Sequence, residues 1–524
     1  MYMSKLLFRT TILFSSLLFF ACASVEKHNA KRTRTIPVAQ LQKDIDYVEH
    51  KLYKLHPSVD LYINKEQLAF KFDSIRKVVT KPMTSKAFYF VISPVIASVR
   101  QGHMSMIPME KRYTVKERKR FKKGGEGPLS QFKYEWENNA LYIIKNNSET
   151  KDIVLGTEVM AINNIKPQDL YRKYRPGFTS DGYNTTFLRK SFLRRFPGYV
   201  VEEIDMQDSL TFEFKHKDSV YTKIISRKKP KKKETMVMKK DSAKPIVDRA
   251  KAKTERKKKR IYGYDSKTKE FSKSLRFMGK DSTVAYMRII NFTQGNVRKV
   301  YKAIFDSINK KGCNTLVIDV RDNPGGRMTD IHRLYSYLTN EKYTLVQPPI
   351  VTSKTSLWNT GMFSNIPVAV YPIAGVFYPF YMSYTYLKTK KGEDGKYYCN
   401  FYASKVADPD SANFKGKVYV LINGGSFSAS CILSSALKTH DNVTFVGEET
   451  GGDFNGTVAG FMPMLKLPHS GIRWRLGLLD IRPVNQTKVI GHGIYPDKEI
   501  ISTMEDKINN KDPELEWVLK EIGK

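Results

Sequence analysis

Apolar residues recur with a helical period in the first folded part of the chain. Over residues 41–110 they fall at steps of three and four, as Leu41, Ile45, Val48 and Leu52 do. This spacing places apolar side chains on one face of an α-helix. We therefore expect a small N-terminal helical domain over residues 41–110.

The pattern changes to short apolar runs between residues 125 and 226. Residues 141–144 and 153–155 form runs of strand length that are bounded by polar turns. The second run opens the phrase 155–163, which reads hydrophobic, Gly, x, Glu, Val, x, x, Ile, Asn and resembles the centre of a PDZ domain. We expect a PDZ-like β domain over residues 125–226, with a generic small β domain as the alternative.

From about residue 280, predicted strands and helices alternate. Strands are expected at 283–290, 315–321, 417–422 and 443–446. Residues 296–309, between the first two strands, place their apolar positions on one helical stripe. Strand, helix and strand in succession imply βαβ units and a largely parallel sheet. The fold class is therefore α/β, with a core over residues 280–505 and a C-terminal helix over 506–524.

A long aromatic connection interrupts this core over residues 340–415. It carries seven Tyr or Phe between Tyr371 and Tyr386. Loops of this length are usually functional lids or binding segments. The alternative, a satellite hydrophobic cluster under a surface insertion, is equally compatible with the pattern.

The first 22 residues read as a secretory signal peptide, because Lys5 and Arg9 precede an apolar stretch of about 12 residues that is too short to span a bilayer. The ending Phe-Phe-Ala-Cys resembles a bacterial lipobox, in which Cys22 becomes the acylated first residue. Residues 23–40 are polar and basic, which suits a flexible tether. We therefore expect a bacterial cell-envelope protein anchored through Cys22. A plain anchor or a signal cleaved elsewhere is the alternative.

The charge is strongly positive and unevenly spread. The chain has 89 Lys or Arg and 52 Asp or Glu, a net charge of +37, and residues 227–260 alone hold 17 Lys or Arg against four acidic residues. Such a block repels itself and has little to bury, so a disordered basic insertion is expected over 227–275. Binding of nucleic acid or an anionic envelope polymer is the alternative. The absence of a helix-turn-helix, zinc or RNP-type pattern beside the block argues against nucleic acid.

Composition limits the other classes of protein. A hydrophobic content of 41% with 12% aromatics excludes a wholly disordered or collagen-like chain. Four Cys in 524 residues exclude a disulfide-stapled scaffold. There is no His-x-x-x-His, no Cys-x-x-Cys and no P-loop, so no metal or nucleotide cofactor is expected.

Two polar turns follow predicted parallel strands. The first, residues 319–326, ends in Pro324-Gly325-Gly326, whose glycines permit close backbone approach and leave N–H groups free. The second, residues 423–432, places three serines at alternating positions before a helical pattern. Hydroxyls at the carboxyl end of a parallel strand lie where α/β folds bind ligands. Each turn taken alone is also an ordinary turn or helix cap.

Together these turns resemble the tail-specific, or C-terminal processing, serine proteases of peptidase family S41 and their tricorn-core relatives. The resemblance implies a crotonase-like βαβ core, a polypeptide substrate and acyl-enzyme chemistry. It makes Ser428 the nucleophile and assigns the oxyanion hole to the Ala429 N–H with Gly325 or Gly326. Residues 491–497 resemble the family's closing turn. A PDZ-like domain further implies capture of a substrate's C-terminus.

One departure from the family pattern decides the expected base. Members with a Ser-Lys dyad carry a lysine where this chain has Asp453 or, aligned on the next glycine, Asn455. The lysine-less, tricorn-like branch uses a histidine before the PDZ-like domain, and the segment Gly102-His103-Met104-Ser105 resembles its signature. His103 is therefore the expected general base, since the pKa of imidazole lies near working pH. The competing histidines of the core are His332, His440, His469 and His492.

A carboxylate is expected to hold the tautomer of this histidine. Glu448 and Glu449 both follow the strand at 443–446, and the resemblance favours Glu449. The alternative function is a catalytically inactive relative that binds a peptide or ligand in the envelope. Whether His103 and Ser428 converge in space distinguishes the two.

Overall fold

The computed structural model describes residues 24–229, 249–279, 281–361, 363, 366–367 and 370–523. The leader and Cys22 lie outside the described residues. The helices are α1 Val25–Thr33, α2 Val38–Leu55, α3 Lys65–Val78, α4 Ser85–Ala97, α5 Val115–Gly124, α6 Pro167–Tyr174, α7 Thr186–Ile204, α8 Arg249–Tyr262, α9 Val297–Lys311, α10 Met328–Tyr335, α11 Tyr371–Lys388, α12 Ala429–Leu437, α13 Met504–Ile508 and α14 Pro513–Ile522.

The strands are β1 Thr35–Ile36, β2 Met83–Thr84, β3 Ser105–Ile107, β4 Phe132–Glu137, β5 Ala140–Asn146, β6 Glu158–Ile162, β7 Ser209–His216, β8 Ser219–Ser226, β9 Tyr264–Asp265, β10 Glu270–Phe271, β11 Lys273–Met278, β12 Val284–Ile289, β13 Thr315–Asp319, β14 Ile350–Val351, β15 Thr389–Lys391, β16 Tyr397–Cys399, β17 Lys417–Ile422, β18 Val443–Gly447, β19 Thr457–Ala459, β20 Met464–Lys466, β21 Arg473–Arg475, β22 Leu479–Ile481 and β23 Lys498–Glu499.

A six-stranded sheet in the order β11-β12-β13-β17-β18-β23 forms the centre of the α/β core. β11 runs antiparallel to β12, and every other neighbouring pair is parallel. The predicted largely parallel sheet is thus confirmed. Because β13 and β17 are parallel neighbours, the turns that follow Asp319 and Ile422 leave the sheet at the same edge.

Both faces of this sheet are buried, which explains why its strands are continuously apolar. One face, which includes Met287 and Ile318, packs on α9, α10 and α12. The opposite face, which includes Val317, packs on Leu515 and Val518 of α14. The single C-terminal helix expected over 506–524 is observed as two helices, the short α13 Met504–Ile508 and α14 Pro513–Ile522. Helices on both sides hold the strand ends at fixed positions.

A second sheet occupies residues 132–226. Its five antiparallel strands run in the order β4-β5-β6-β7-β8, with α6 and α7 between β6 and β7 in the chain. Buried aromatic side chains, including Trp136, Phe192 and Phe212, fill the space beneath it. The small β domain is present, and its PDZ-like character stays a prediction. β4 lies at one edge of the sheet, beside α7.

The N-terminal helices are tied to the core through β3. This strand pairs with β21, and β21 pairs with β20, in a three-stranded antiparallel sheet. The expected flexible tether over 23–40 is wrong for the residues from Ser24 onward, because α1 and the start of α2 lie there. Arg32 of α1 pairs with Glu202 at 2.8 Å, so the segment is docked on the body.

The expected disorder of 227–275 is also wrong where the chain is described. Residues 249–262 form α8, and residues 264–278 contain three strands, the last of which joins the central sheet. The rest of the basic block, 230–248, lies outside the described residues. A basic segment can be helical when its charges stay in solvent, and α8 buries no side chain.

The aromatic connection contains one long helix. The hydroxyls of Tyr378 and Tyr381 in α11 donate inward to carbonyls of the 3₁₀ turn Ser356–Asn359. The side chains of Phe377 and Phe380 point outward and are 60% and 71% exposed. Within the described ranges no helix is long and apolar enough to cross a bilayer.

Candidate active site

Ser428 stands at the junction of β17 and α12 in an unusual backbone conformation. It is the N-cap residue of α12, with φ 59° and ψ −118°. A positive φ is costly for a residue with a Cβ and persists only where the surroundings impose it. The sharp strand-to-helix turn projects the hydroxyl beside the N-terminus of the helix, as the nucleophile elbow of α/β-hydrolases does. Ser428 is half-buried, so this hydroxyl can meet a ligand.

The two flanking serines fix the turn. Ser426 Oγ donates to the Val320 carbonyl at 2.8 Å, and Ser430 Oγ donates to the Asn323 carbonyl at 3.0 Å. Both acceptors belong to the neighbouring turn after β13. The flanking serines therefore bind the Ser428 turn to the glycine turn, the supporting role expected for them.

Gly325 lies directly against the Ser428 turn. A Cβ at this position would come within 2.8 Å of the Ala429 nitrogen and the Ser428 Cβ, so no side chain fits. The Gly325 N–H donates to Asn323 Oδ1 at 2.9 Å, which corrects its expected place in the oxyanion hole. The N–H groups of Gly326 and Ala429 have no acceptor among the described residues. These two donors remain for an oxyanion.

His103 reaches this turn from the N-terminal part of the chain. Its Nε2 lies 3.0 Å from Ser428 Oγ, although the residues are 325 positions apart. β3, which begins two residues later, anchors the segment on β21, and Arg475 Nε donates to the His103 carbonyl at 3.1 Å. The imidazole stacks on Phe427, with ring centroids 4.8 Å apart. The expected convergence of His103 and Ser428 is therefore present.

The other ring nitrogen of His103 meets a hydroxyl. His103 Nδ1 lies 2.9 Å from Thr457 Oγ1, and Thr457 Oγ1 donates to Asp181 Oδ1 at 3.3 Å. Asp181 Oδ1 also accepts the Gly102 N–H at 2.7 Å. Asp181 Oδ2 is buried, and no hydrogen bond to it is found in the described part of the chain. Sequence reasoning missed both Thr457 and Asp181, since neither stands in a motif that marks a catalytic role.

Burial shifts the pKa values of this group in opposite directions. It lowers the pKa of His103 to about 3, with a further lowering by the Arg475 charge, so the imidazole is neutral at neutral pH. Burial raises the pKa of Asp181 to about 7. The hydrogen bond from the Gly102 N–H lowers this pKa, and the charge of the nearby Asp453 raises it. Asp181 thus changes its charge near neutral pH, and His103 does not.

The expected orienting role of Glu449 is wrong. Glu449 Oε1 accepts the Gly493 N–H at 2.7 Å and lies 3.4 Å from His492 Nδ1. Its carboxylate therefore braces the closing turn, and Thr457 occupies the place beside His103 Nδ1. Asp453, one of the two positions at which the resemblance places a lysine, accepts hydrogen bonds from Tyr62 Oη and from the Gly491 N–H.

Ser428 and His103 open into a cavity of about 270 Å³. Phe178, Phe187 and Met462 form apolar parts of its wall, and Gly325 and Gly326 lie at its base beside Ser428. A serine, a neutral imidazole and two free backbone N–H groups are the parts that acyl transfer requires. In the described ranges no three His, Cys, Asp or Glu side chains are grouped to hold a metal ion.

The core is similar to known peptidases. The family model of peptidase family S41 matches residues 283–500. A probable CtpA-like serine protease of Staphylococcus haemolyticus is 23% identical over 239 residues, which are 45% of this chain and 37% of that protein. The match thus spans little more than a third of the relative's length.

Solved structures of mature CPAF share the fold over almost the whole chain. The crystal structure superposes with a TM-score of 0.57 and 14% identity, covering 92% of this chain and 97% of the other. The lactacystin complex of mature CPAF gives a TM-score of 0.57 and 14% identity, covering 93% and 98%. At this identity the likeness shows a common mixed α/β fold.

Residues 283–500 match the model of peptidase family S41, and this match together with the Ser428–His103 pair supports a serine-type peptidase.

Proposed function

We propose that the protein is a serine endopeptidase that hydrolyses peptide bonds through an acyl-enzyme on Ser428. The observation that carries the proposal is the 3.0 Å distance between His103 Nε2 and Ser428 Oγ. His103 takes the hydroxyl proton as Ser428 attacks the peptide carbonyl. The N–H groups of Gly326 and Ala429 stabilise the oxyanion. His103 then protonates the leaving amine, and a water molecule that His103 activates releases the acyl group.

Thr457 and Asp181 set the tautomer of His103 in this mechanism. An ionised Asp181 can only accept, so the single proton of the Thr457 hydroxyl points to Asp181. Thr457 must then accept from His103 Nδ1–H, which leaves the Nε2 lone pair facing Ser428. The buried negative charge also stabilises the imidazolium that forms during attack.

A fluorophosphonate probe tests the proposal directly, because it reacts with an activated serine and needs no known substrate. We expect the wild-type chain to be labelled, and Ser428→Ala and His103→Ala to lose labelling. Thr439→Ala is the matched control, because it removes a hydroxyl just past the other end of α12, and this variant should be labelled normally. Labelling that persists in Ser428→Ala would contradict the site. An unlabelled wild type would favour the inactive, ligand-binding alternative.

We further propose that the core is crotonase-like and that the 132–226 sheet acts as a PDZ-like peptide-binding domain. A cavity of about 750 Å³, larger than the one at Ser428, is lined by edge strand β4 and helix α7 and also by residues of the core and the C-terminal segment, including Arg288, Arg321 and Asp512. An exposed strand edge beside a helix can take up an extended peptide as an additional strand. Deletion of the last residues of a cleaved substrate should then raise its KM more than it lowers kcat.

Two ion pairs support coupling between this groove and the site. Arg189 of α7 pairs with Glu448 at 2.8 Å, and Lys190 pairs with Asp322 at 3.1 Å. Glu448 accepts the Gly424 N–H of the Ser428 turn, and Asp322 belongs to the glycine turn. A peptide that moves α7 therefore bears on both turns.

We propose a cell-envelope location with lipid attachment at Cys22. The support is the leader sequence with its lipobox-like end. Metabolic labelling with a palmitate analogue should mark the wild-type chain and not Cys22→Ala. Equal labelling of both would overturn the anchor.

A further inference from the structure

Three arginines line the Ser428 cavity without any acidic neighbour in its wall. Arg194 and Arg195 come from α7, and Arg475 comes from β21. No Asp or Glu is among the residues that line the cavity, all of which are described. Throughout the described ranges, none of the three arginines forms an ion pair with a carboxylate. The wall is therefore uniformly positive.

These cations also act on one another. Burial lowers the pKa of Arg475, and the charge of Arg195 lowers it further. Burial and then the charge of Arg195 lower the pKa of Arg194, and these two outweigh a raising effect of Asp322, which lies outside the cavity wall. Arg321, by contrast, forms ion pairs with Asp319 and Asp512. Like charges held together at a partly desolvated wall are relieved when an anion binds between them.

The rest of the wall shows where the anion lies relative to the chemistry. Arg475 Nε is already bound to the His103 carbonyl, so its guanidinium is fixed beside the base. Phe187 stacks on Phe427, with centroids 4.1 Å apart, and Phe427 stacks on His103. Arg194 stands over the Phe187 ring at 5.9 Å. One side of the cavity is thus aromatic, and the arginines stand at its edge.

We propose that Arg194, Arg195 and Arg475 form a carboxylate-binding subsite that selects peptides with an anionic group close to the scissile bond. This inference rests on the proposed peptidase function. The carboxylate belongs either to an Asp or Glu side chain or to the free C-terminus of the substrate. Guanidinium groups suit this role because they bind a carboxylate through two parallel hydrogen bonds.

Cleavage-site mapping tests the selection. The full chain is incubated with a mixed peptide library, and the products are identified by mass spectrometry. We expect Asp or Glu, or a free C-terminus, to be enriched within a few residues of the cleaved bond. For the best peptide, replacing the acidic residue by its amide should lower kcat/KM at least about tenfold if the side chain is recognised. Amidation of the C-terminus should do so if the terminus is recognised.

Neutral variants connect the selection to the arginines. Arg194→Gln, Arg195→Gln and Arg475→Gln should each reduce the preference for the acidic peptide over its amide several-fold. Arg172→Gln is the matched control, because its side chain is 79% exposed on α6 and outside the cavity. Arg475→Lys keeps the charge and should retain part of the preference. High salt should weaken the preference of the wild type.

Fluorophosphonate labelling separates this inference from the proposed function. The Arg194 and Arg195 variants should still be labelled at Ser428, because no hydrogen bond joins either side chain to Ser428 or His103 among the described residues. Normal labelling with no acidic preference in the products would overturn the subsite and leave the peptidase intact. Failure of the wild type to label would overturn the peptidase itself. Loss of labelling in the two α7 variants would show a structural role and contradict the subsite.

Discussion

Asp181 and Asp319 are both completely buried, yet their surroundings treat the charge in opposite ways. Asp319, at the end of β13, accepts from Arg321 at 2.8 Å and from Tyr286 at 2.6 Å, and it pairs with Arg288. Asp181 Oδ1 accepts from the Gly102 N–H and from the Thr457 hydroxyl, and the Asp453 carboxylate lies nearby.

The pKa values follow from these partners. Burial raises the pKa of Asp319, but the charges of Arg288 and Arg321 outweigh it and bring the pKa to about 2. Among the described residues no cation opposes the effect of burial on Asp181, and its pKa rises to about 7. A buried carboxylate that is paired with cations stays ionised and has a structural role. A buried carboxylate without a cation keeps its proton up to higher pH, so its charge can change in a reaction.

Stability should therefore depend on pH with opposite sign at the two sites. The folded-state pKa of Asp319 lies below its unfolded value, so its contribution is present above about pH 4 and is lost as pH falls toward 2. The folded-state pKa of Asp181 lies above its unfolded value. The protonated Asp181 therefore contributes to the free energy of unfolding at low pH, and this contribution is lost as pH rises from about 4 to 7.

The largest expected effect comes from removing the charge of Asp181. Asp181→Asn should slow fluorophosphonate labelling by about 10³-fold, because the amide cannot hold the tautomer or stabilise the imidazolium. In the wild type, the labelling rate should rise with pH through about 7, as Asp181 ionises. This limb should be absent from the variant.

The same variant has a distinguishing effect on stability. Above pH 7, Asp181→Asn should unfold at higher urea concentration than the wild type, because it no longer buries an unpaired charge. A variant that labels at the wild-type rate, or that is destabilised above pH 7, would contradict the comparison.

Asp319→Asn should mainly affect stability. We expect a loss of about 3 kcal/mol in the free energy of unfolding at pH 7, since Arg288 and Arg321 lose a buried partner. The difference from the wild type should shrink toward pH 2, where Asp319 becomes protonated. Urea titrations at several pH values measure both. A constant difference across this range would count against the ionic role of Asp319.

Variants of Thr457 test whether the link between His103 and Asp181 needs a hydroxyl. Thr457→Val should slow labelling by roughly 30-fold, about 2 kcal/mol, since it removes a hydrogen-bond link at similar volume. Thr457→Ser should remain within a few-fold of the wild type. Equal losses in the two variants would indicate a packing role for Thr457.

The smallest effect is expected at Tyr62, which donates to Asp453. In Tyr62→Phe, Asp453 loses a donor that favours its ionised form, so its pKa rises and its repulsion of Asp181 weakens. The labelling limb should then move to lower pH by about half a unit, with the rate at high pH unchanged. A shift to higher pH would contradict the repulsion between Asp453 and Asp181.

The sequence could predict the residues that stand at fixed offsets from strands. Ser428 and the glycine turn follow parallel strands, so adjacency in the sheet brings them together. Only the family resemblance points to His103 as the base. Its contact with Ser428 depends on the pairing of β3 with β21. Gly325 was assigned a donor role that its Asn323 partner already occupies.

The carboxylate linked to His103 through Thr457 could not be predicted, for a physical reason. Asp181 lies 79 positions from the Gly102 N–H that it accepts, in a loop without a motif. Glu449 was nearer to a strand end, but its carboxylate turns to Gly493. Docking of α1 through Arg32 likewise depends on Glu202, 170 positions away. Such long-range pairs leave no periodic signal.

The backbone of Ser428 has an evolutionary consequence. Its φ of 59° costs stability that glycine would not, so replacement by glycine should stabilise the fold by roughly 1 kcal/mol while abolishing nucleophilic attack. Selection for stability alone would therefore erode this residue. Retention of a strained serine at this position in a lineage would be a record of selection for catalysis, and its drift to glycine would mark the point at which that selection ended.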